Sequence, residues 1–455
     1  LVTAKRGELS KQTEVSGLIL KDPYVAQVMS YFTNSDDTRG MKLSYSYDLK
    51  NFMPLNNGKA VVKMETGSKR MRDPSIFRLK DGTFGVVSTQ GWDNPAIYFV
   101  DSPDLCTFTN ERLVKVADGV RAWAPECNYD RITGQYYVYW SDPNRDGGYI
   151  RYNTTTDLVN FSEEQCYIRL DHQLIDASIK WAEGKYYMAI KSEGGSVSYG
   201  TILMASADTL AGPWESSGTF IAGTDAGYPW CEGPTWSKSY ADGKYYLYFD
   251  EVGGRDVIYA SNADISNDAG WVYKADGDGQ VASQKIKQNI DDADKRTSHC
   301  GLIDVTQKEL DRLIETWGVT SSYYGIAFEV LEIEAPAQLQ VLEGTGMDDI
   351  DLPETVRVKY DDGGWRDVAV SWDTTPYQPT EGTYTLSGTI ALAEDVKNSQ
   401  NIAVELTILV EREVHDLVFV PAKESTCVEQ GSVAHWHCNS CNLNYADQDA
   451  TEVLA

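Results

Sequence analysis

Four acidic residues stand at similar distances ahead of four glycine turns, and each turn opens a run of aromatic residues. The pairs are Asp73 with Gly82, Glu126 with Gly134, Asp176 with Gly184, and Glu232 with Gly243, at separations of 9, 8, 8 and 11 residues. Residues at one place in a repeated unit converge when the units surround a common axis. The spacing therefore predicts a cluster of carboxylates at a shared opening.

Carboxylates that are held close together repel one another, and their pKa values move apart. One group then stays protonated and can donate a proton to a leaving oxygen, while another stays ionised and can activate water. Glycoside hydrolysis needs such a pair, and inverting enzymes keep the two carboxyls roughly 6.5–9.5 Å apart. The cluster thus predicts hydrolysis of a glycosidic bond.

Three tryptophans, Trp92, Trp123 and Trp230, stand near these acids in the sequence. A flat indole ring can stack on the C–H face of a sugar, which favours a role in substrate binding. The same rings could equally pack in the interior of the fold, because aromatic side chains dominate many cores. Both interpretations stay open at the level of the sequence.

A repeat of about fifty residues must position these groups. The glycine–aromatic phrase recurs at intervals of 52, 50 and 59 residues, and an aspartate that precedes an aromatic recurs at Asp48, Asp104, Asp157, Asp208 and Asp264. Each unit is rich in strand patterns and lacks the amphipathic helices that a β/α barrel requires. Five such units predict an all-β fold, a five-bladed β-propeller, over residues 1–325.

The end of the repeat region carries a helix pattern and the strand that must close the ring. Thr306 and Glu309 form a capping-box pattern, and Gly318 can end the helix. The first unit lacks the glycine–aromatic phrase. We therefore expect the strand at residues 300–305 to complete the unit that begins near residues 22–52.

Two smaller regions follow the propeller. Residues 326–412 show alternating strand patterns with glycine and proline turns, which predict a small β-sandwich. Residues 413–455 form a short segment with four potential Zn²⁺ ligands, His415, Cys427, Cys438 and Cys441. A Cys3His set suits zinc, but a disulfide with one remaining thiol is equally compatible with an oxidising compartment.

Charge narrows the range of partners. The 40 basic and 68 acidic side chains give a formal net charge of −28. This excess repels phosphate groups, so nucleic acids and anionic lipid surfaces are poor partners. No run of 18 apolar residues occurs, so membrane insertion is not expected. The five cysteines in the first 300 residues are predicted to be buried free thiols.

Four motifs, RDPSIF, WAPE, IDASI and EGPTW, occur in this order at the fifty-residue step. Together they resemble the five-bladed propellers of glycoside hydrolase family 43, over about residues 18–318. The resemblance implies an inverting mechanism in which Asp73 is the general base and Glu232 the general acid. It also implies that Asp176 orients the pair and modulates the acid.

The same resemblance implies a calcium or other cation in the channel near His299, and no organic cofactor. One departure from the family pattern is a second Asp-Pro pair at Asp22. We prefer Asp73 as the base because no glycine–aromatic phrase follows Asp22 at the expected distance.

Taken as a whole, the resemblance implies an extracellular or bacterial cell-surface exo-acting α-L-arabinofuranosidase that releases arabinose from plant polysaccharide side chains. β-Xylosidase, β-galactofuranosidase and endo-arabinanase are alternatives on the same fold, and a non-catalytic glycan-binding propeller is the alternative outside the enzymes. The sandwich resembles bacterial immunoglobulin-like modules. The last segment resembles cysteine-bearing repeats in secreted proteins of Gram-positive bacteria, which implies association with the cell surface.

Overall fold

The computed structural model describes residues 23–33, 40–194, 199–223, 230–251, 256–272, 297–318, 328–361, 364–393, 396–412 and 415–454, and the strand backbone at 2–6 and 9–13. The chain divides into two compact units, the first formed chiefly by residues 1–328 and the second chiefly by the remainder. The predicted boundary at residue 325 and the Asp-Pro pair at Asp22 lie outside the described residues.

Most of the regular secondary structure in the described first unit is β-strand. In chain order they are β1 (Val2–Arg6), β2 (Leu9–Thr13), β3 (Tyr24–Thr33), β4 (Lys42–Ser46), β5 (Met53–Pro54), β6 (Met71–Arg78), β7 (Phe84–Gln90), β8 (Ala96–Ser102), β9 (Thr109–Lys115), β10 (Trp123–Asp130), β11 (Gln135–Ser141), β12 (Ile150–Thr155), β13 (Gln165–Ile168), β14 (Leu174–Ala182), β15 (Lys185–Glu193), β16 (Tyr199–Ala207), β17 (Glu215–Ala222), β18 (Cys231–Lys238), β19 (Tyr245–Glu251), β20 (Asp256–Asn262) and β21 (Thr297–Thr306). Single-turn 3₁₀ helices occur at Asn56–Gly58 and Asp268–Gly270.

Apart from the β1–β2 hairpin, these strands form five antiparallel sheets. Their strand orders are β21-β3-β4-β5, β6-β7-β8-β9, β10-β11-β12-β13, β14-β15-β16-β17 and β18-β19-β20. The predicted closing strand is confirmed, because β21 pairs with β3 with Ile303 opposite Val28. The number of sheets equals the number of units that the repeat predicted.

The repeated aspartate forms the same turn after the third strand of successive sheets. Three of these aspartates accept hydrogen bonds of 2.8–3.0 Å from backbone N–H groups two and three residues later: Asp48, Asp104 and Asp157. The next residue is a leucine with a left-handed backbone, φ 57–62°, in each case: Leu49, Leu105 and Leu158. The repeated turn that the sequence predicted is therefore present.

The first strand of every sheet contains a β-bulge. The register shifts within β6, β10, β14, β18 and β21. One residue in each bulge has a left-handed backbone with φ of 40–60°: Asp73, Ala124, Asp176, Gly233 and His299. A bulge bends its strand and redirects a side chain, and non-glycine residues adopt this conformation rarely. The five bulges are thus a repeated device for redirecting side chains.

Helix α1 (Gln307–Trp317) follows β21, as predicted. The Thr306 hydroxyl accepts the N–H of Glu309, and the Glu309 carboxylate accepts the N–H of Thr306, which completes the capping box. The Arg78 guanidinium also donates to Glu309 at 2.7 and 2.9 Å. Gly318 ends the helix with φ 72°. None of the helices in the described part of the chain is long and apolar enough to cross a bilayer.

The second unit is also built of strands. They are β22 (Phe328–Ile333), β23 (Leu339–Leu342), β24 (Thr355–Tyr360), β25 (Trp365–Asp373), β26 (Gly382–Ile390), β27 (Val396–Lys397), β28 (Val404–Glu411), β29 (Leu417–Val420), β30 (His435–Cys438) and β31 (Asn444–Tyr445), with a 3₁₀ turn at Met347–Asp349. Strands β22 to β28 are hydrogen-bonded in the order β23-β28-β26-β25-β24-β22-β27, and β29-β30-β31 form a separate sheet. The first half of β25 pairs with β24 and its second half with β26.

The eight cysteines are all free thiols. Cys127, Cys231 and Cys300 are buried as predicted, but Cys106 is only half-buried and Cys166 is exposed. The prediction fails for Cys166 because β13, in which it lies, is the edge strand of its sheet.

Candidate active site

A cavity of about 280 Å³ lies against the bulged strands of the first unit. All seven residues that the sequence assigned to the propeller site line it: Asp73, Asp176, Glu232, Trp92, Trp123, Trp230 and His299. The structure therefore brings together residues that are separated by more than 200 positions in the chain. Their individual roles stay predictions.

Glu126 lies elsewhere. It comes two residues after Ala124, the bulge residue of β10. Its side chain lines a different cavity, of about 690 Å³, and accepts a hydrogen bond of 2.8 Å from the Tyr139 hydroxyl. Burial raises the pKa of Glu126, an effect that Lys180 partly offsets. The expectation that Glu126 shares the opening of the other acids is wrong.

The remaining acids also differ in register. Asp73 and Asp176 are bulge residues, as is His299, whereas Glu232 is the residue before the bulge at Gly233. Counting back from the glycine turns therefore gave only an approximate equivalence, because the bulges interrupt the strands between the turn and the acid. The side chains of Asp73, Asp176 and His299 therefore reach the cavity from a bulge, whereas the side chain of Glu232 reaches it from the residue before a bulge.

Asp73 is held from two sides. The Thr89 hydroxyl donates to its Oδ2 at 2.7 Å and itself accepts the backbone N–H of Ala124 at 2.8 Å. The other oxygen, Oδ1, lies 3.5 Å from Nδ1 of His299. The side chain of Asp73 is 12% exposed, so these contacts fix a carboxylate whose open side faces the cavity.

Asp176 is bonded to the segment that carries Glu232. Its Oδ2 accepts the backbone N–H of Gly233 at 3.2 Å. Burial raises the pKa of Asp176 to about 6, although His299 and Lys191 partly offset this effect. A carboxyl with this pKa ionises near pH 6. It does so beside the backbone N–H of the residue that follows Glu232.

A buried lysine that the sequence analysis did not identify contacts Glu232. Nζ of Lys191 lies 3.3 Å from Glu232 Oε2 and 2.7 Å from Glu193 Oε2. Burial lowers the pKa of Lys191, but the carboxylates of Asp176, Glu232 and Glu193 outweigh burial and raise it above the ordinary value. The side chain of Lys191 is 2% exposed and that of Glu232 is 42% exposed. A buried cation thus holds one end of a carboxylate that opens to the cavity.

The position of Lys191 in its strand explains why the Gly233 N–H reaches Asp176. In other sheets the same position supplies an acceptor for the N–H of the next bulge: Thr89 for Ala124, Ser141 for Asp176, and Asp250 for His299. A lysine ammonium cannot accept a hydrogen bond. The N–H of Gly233 therefore donates to Asp176 instead. This hydrogen bond links the strand that carries Asp176 to the strand that carries Glu232.

Asp250 is a further buried acid that was not predicted. It lies opposite Glu232 in the β18–β19 pair, and its Oδ2 accepts the N–H of His299 at 2.9 Å. Its Oδ1 is buried and has no hydrogen-bond partner among the described residues. Burial raises the pKa of Asp250 to about 7, with a partial offset from the contact with His299.

Trp92 and Trp123 form one wall of the cavity. Their rings meet edge to face at 5.6 Å, and Trp123 Nε1–H donates to the Trp92 carbonyl at 2.7 Å. The Arg72 guanidinium stacks on Trp92 at 4.5 Å and on Phe32 at 4.8 Å. Trp92 is 54% exposed. This exposure argues against packing in the core and favours a role as a binding surface.

Trp230 forms a second aromatic surface, and it depends on a glycine. A Cβ at Gly200 would lie 1.4 Å from the Trp230 ring, and Gly200 has φ +72°. No other residue type would therefore allow the indole to occupy this place. Trp230 is 43% exposed, and the ammonium of Lys191 lies 5.9 Å from the centre of its ring.

His299 lies at the cavity beside the carboxylate of Asp73. Among the described residues, the ligand atoms of His, Cys, Asp and Glu converge in a group of three only in the C-terminal segment. Burial lowers the pKa of His299, but Asp73, Asp176 and Asp250 outweigh burial and raise it. The channel cation stays a sequence-based prediction, and no step below depends on it.

The C-terminal segment brings together three of its four predicted ligands. The ligand atoms of His415, Cys438 and Cys441 lie within 4.8 Å of one another. Cys427 is exposed and is not part of this group. The predicted set of four is therefore a set of three in the structure.

Most of the first unit matches a known family. Residues 22–311 match a family model described as "Probable glycosyl hydrolase domain", which is related to glycoside hydrolase family 43. This chain belongs to the family-43-related glycosyl hydrolases. Residues 336–393 match a bacterial Ig-like domain of group 4. The resemblance that the motifs indicated is confirmed: the chain carries a glycosyl hydrolase domain, and a bacterial immunoglobulin-like domain follows it.

Individual relatives are distant. An α-L-arabinofuranosidase of Bifidobacterium longum subsp. longum is 23% identical over 209 residues, which is 38% of this glycosyl hydrolase and 20% of the relative. The chain thus spans about a fifth of the curated relative. An α-L-arabinofuranosidase from Clostridium thermocellum ATCC 27405 is similar over 56% of this chain and 93% of its own, with 17% identity and a TM-score of 0.43. An endo-1,4-β-xylanase from Bacteroides thetaiotaomicron VPI-5482 is similar over 55% of this chain and 91% of its own, with 16% identity and a TM-score of 0.42.

The stability of this glycosyl hydrolase should depend on pH through Asp250. Because its folded pKa is about 7, above the usual value of about 3.9, folding takes up a proton between these limits. The resulting stability is complete below about pH 4 and is lost as the pH rises through 7. Asp250→Asn keeps the acceptor for His299. It should melt like wild type at pH 4 and be more stable by about 1–3 kcal/mol at pH 8. Lower stability than wild type at pH 8 would contradict this.

Removal of the Lys191 ammonium should affect the turnover of the hydrolase. In Lys191→Met the carboxylate of Glu232 loses the cation at 3.3 Å. Glu232 is a predicted reacting group and small displacements of such a group are costly, so we expect kcat/KM to fall by about 10–100-fold, chiefly in kcat. Lys191→Arg retains the charge and should recover part of the loss. If melting temperature falls while kcat and KM stay at wild-type values, Lys191 serves stability alone.

Proposed function

We propose that this glycosyl hydrolase is an inverting, exo-acting α-L-arabinofuranosidase that removes arabinose from plant polysaccharide side chains. The observation that carries the proposal is the cavity in which Asp73, Asp176 and Glu232 meet between exposed tryptophan rings. Acids with different surroundings stand next to surfaces that suit a sugar. This combination supports hydrolysis of a bound glycoside.

The fold that we propose for the first unit is a five-bladed β-propeller. Five sheets in sequence order, each beginning with a bulged strand, support this architecture. The pairing of β21 with β3 supports a closed ring, because it joins the end of the repeat region to its beginning. In this architecture the first strands surround the axis, which accounts for the gathering of bulge residues at one cavity.

In the mechanism that we propose, Asp73 is the general base. Its carboxylate takes a proton from a water molecule, and the water oxygen attacks the anomeric carbon on the face opposite the leaving group. The contacts with Thr89 and His299 hold the carboxylate in one orientation during this step. Asp73 thus supplies the base without forming a bond to the sugar.

Glu232 is the proposed general acid. It donates its proton to the glycosidic oxygen as the bond to the anomeric carbon breaks, so that the leaving group departs as a neutral alcohol. Asp176 positions this acid through the N–H of Gly233, and Lys191 contacts its Oε2. One water molecule is consumed, and the released sugar has the inverted anomeric configuration.

The size of the cavity supports exo action. Ligand pockets commonly span roughly 300–1,000 Å³, and this cavity, at about 280 Å³, lies just below that range. It suits a single terminal sugar better than a long chain segment. Trp92 and Trp230, both substantially exposed, are the rings that we expect to stack on the sugar and the adjoining residue.

The arabinofuranosyl specificity draws support from the motifs and from the name of the Bifidobacterium longum relative. The net charge of −28 is compatible with a neutral glycan and unfavourable for phosphate-bearing ligands. Since a plant polysaccharide cannot enter a bacterial cell intact, we place the protein outside the cell or at its surface.

A substrate panel tests the proposal. Wild-type protein is assayed on nitrophenyl α-L-arabinofuranoside, β-D-xyloside and β-D-galactofuranoside and on linear arabinan, and proton NMR records the first anomer released. We expect turnover of the arabinofuranoside with inversion. Preference for the xyloside, the galactofuranoside or internal arabinan bonds would show that the substrate differs from the proposed one. Retention of the anomeric configuration would overturn the proposed inverting mechanism. Binding of glycans without any turnover would indicate a binding module.

A further inference from the structure

We propose that the C-terminal segment binds a Zn²⁺ ion through His415, Cys438 and Cys441, and that this ion holds the small β29–β31 sheet together. The three residues are the group of ligand-bearing side chains that converges in the described part of the chain. This site belongs to the second unit, and it does not rest on the proposed sugar chemistry.

Local backbone structure brings the three ligands together. Strands β29 and β30 pair with Leu417 opposite Cys438, so His415, two residues earlier, comes beside Cys438. A tight turn follows β30, in which Asn442, with φ 60°, donates its N–H to the Cys438 carbonyl at 2.9 Å. This turn returns Cys441 to the same point, and its N–H is directed at Cys438 Sγ at 3.5 Å.

The distances agree with tetrahedral coordination. With Zn–S of about 2.3 Å and Zn–N of about 2.0–2.1 Å, one sulfur and one nitrogen ligand at a tetrahedral angle are separated by about 3.5–3.6 Å. The His415 Nδ1 atom lies 3.5 Å from Cys438 Sγ and 3.6 Å from Cys441 Sγ. Zn²⁺ favours thiolate and imidazole ligands. The hydroxyl of Tyr445 lies 3.4 Å from Cys441 Sγ and 3.5 Å from His415 Nδ1.

The segment also lacks an apolar core that would stabilise it otherwise. Among its described residues, 415–454, only Cys438 and Tyr445 are buried, at 0% and 3% exposure. Six of its apolar side chains are substantially exposed: Val418, Phe419, Val428, Val433, Leu443 and Val453. Small domains of this size usually need a disulfide or a metal ion. The two buried side chains are a thiol of the cluster and the tyrosine that touches it.

Metal binding to the full-length protein tests the site. Protein purified under reducing conditions should contain one equivalent of Zn²⁺ by elemental analysis. After replacement by Co²⁺, it should show the visible bands of a tetrahedral site and a thiolate-to-metal charge-transfer band. Reduced wild-type protein that binds neither metal would overturn the proposal, as would a disulfide between Cys438 and Cys441 that persists when zinc is supplied.

Serine variants separate the ligands from the nearby cysteine. Loss of a residue that supports a metal ligand commonly costs 10–100-fold in affinity, so loss of a ligand itself in Cys438→Ser or Cys441→Ser should cost more than about 100-fold. His415→Ala should behave in the same way. Cys427→Ser makes the same chemical change at an exposed thiol and should bind metal like wild type. If it loses metal as Cys438→Ser does, the three-residue assignment is wrong.

Limited proteolysis provides a second readout that does not depend on the variants. Metal binding and folding are coupled when the ligands hold a small domain together. Zinc should therefore protect residues 415–454 from cleavage, and a strong chelator should expose them while the hydrolase domain stays resistant. Equal cleavage with and without zinc would contradict a structural role of the ion.

Discussion

Asp73→Asn should lower kcat/KM for every glycoside substrate by on the order of 10²–10⁴-fold, the usual contribution of a general base. Asparagine has the shape of aspartate and tolerates the left-handed backbone at this position, φ 48°. It can also still accept the Thr89 hydroxyl, which bonds to Asp73 at 2.7 Å. The loss is therefore expected without a change in fold, and circular dichroism and thermal melting check this point.

An added nucleophile distinguishes loss of a base from loss of structure. Asp73→Gly fits the positive φ without strain and leaves space where the carboxylate stood. Azide should enter that space, attack without needing deprotonation, restore part of the turnover and give a glycosyl azide of inverted configuration. Asp130 is a buried aspartate outside the cavity, and it accepts hydrogen bonds from Ile132 and Thr133. The control variant Asp130→Asn should keep wild-type activity. Normal turnover by Asp73→Asn would remove Asp73 from the mechanism.

Much of this architecture could be predicted because it repeats. A local signal that recurs, such as the turn aspartate at Asp48 and Asp104, reports the same backbone hydrogen bonds each time. The helix cap at Thr306 was predictable from its local capping-box motif, and the closing strand β21 was predictable from the number of strands that the repeat requires. The seven predicted propeller-site residues gather in one cavity because the repeat brings the ends of distant strands together.

The residues that were missed depend on register rather than on local pattern. Lys191 and Asp250 lie near the ends of the aromatic strands β15 and β19, where the sequence indicates only burial. Their importance follows from cross-strand pairing, since Lys191 lies opposite Ile175 and Asp250 opposite Glu232. The bulges shift these pairings by one residue, and a shift of one residue moves a side chain to the other face of a strand. For the same reason, Glu126 lines a different cavity from the one that the sequence predicted.

The C-terminal segment shows a similar limit. The sequence predicted four ligands from the spacing of cysteines and a histidine, and spacing cannot distinguish a residue in the cluster from one nearby. Cys438 and Cys441 are joined by a tight turn, which a two-residue spacing implies. Cys427 precedes them by a longer stretch whose path decides whether it reaches the cluster, and in the structure it is exposed.

Glu232→Gln should produce a loss that depends on the leaving group. A natural sugar leaves as an unstable alkoxide unless it receives a proton, so we expect kcat/KM on arabino-oligosaccharides to fall by on the order of 10²–10⁴-fold. A dinitrophenolate is stable as an anion and needs little protonation. On dinitrophenyl arabinofuranoside the loss should therefore be much smaller, and the dependence on leaving-group acidity should be steeper than in wild type.

Comparison with the base variant makes this contrast decisive for the proposed roles. Asp73→Asn should lose activity on both kinds of substrate to a similar degree, because water must be activated whatever group departs. Glu126→Gln makes the same chemical change as Glu232→Gln at a buried acid in the other cavity and should retain wild-type kinetics on both. If Glu232→Gln loses activity equally on both substrates while Asp73→Asn spares the dinitrophenyl substrate, the two roles are exchanged. If neither variant discriminates, proton donation comes from another group, and Asp176 and Asp250, with pKa values of about 6 and about 7, are then the acids in the cavity to test.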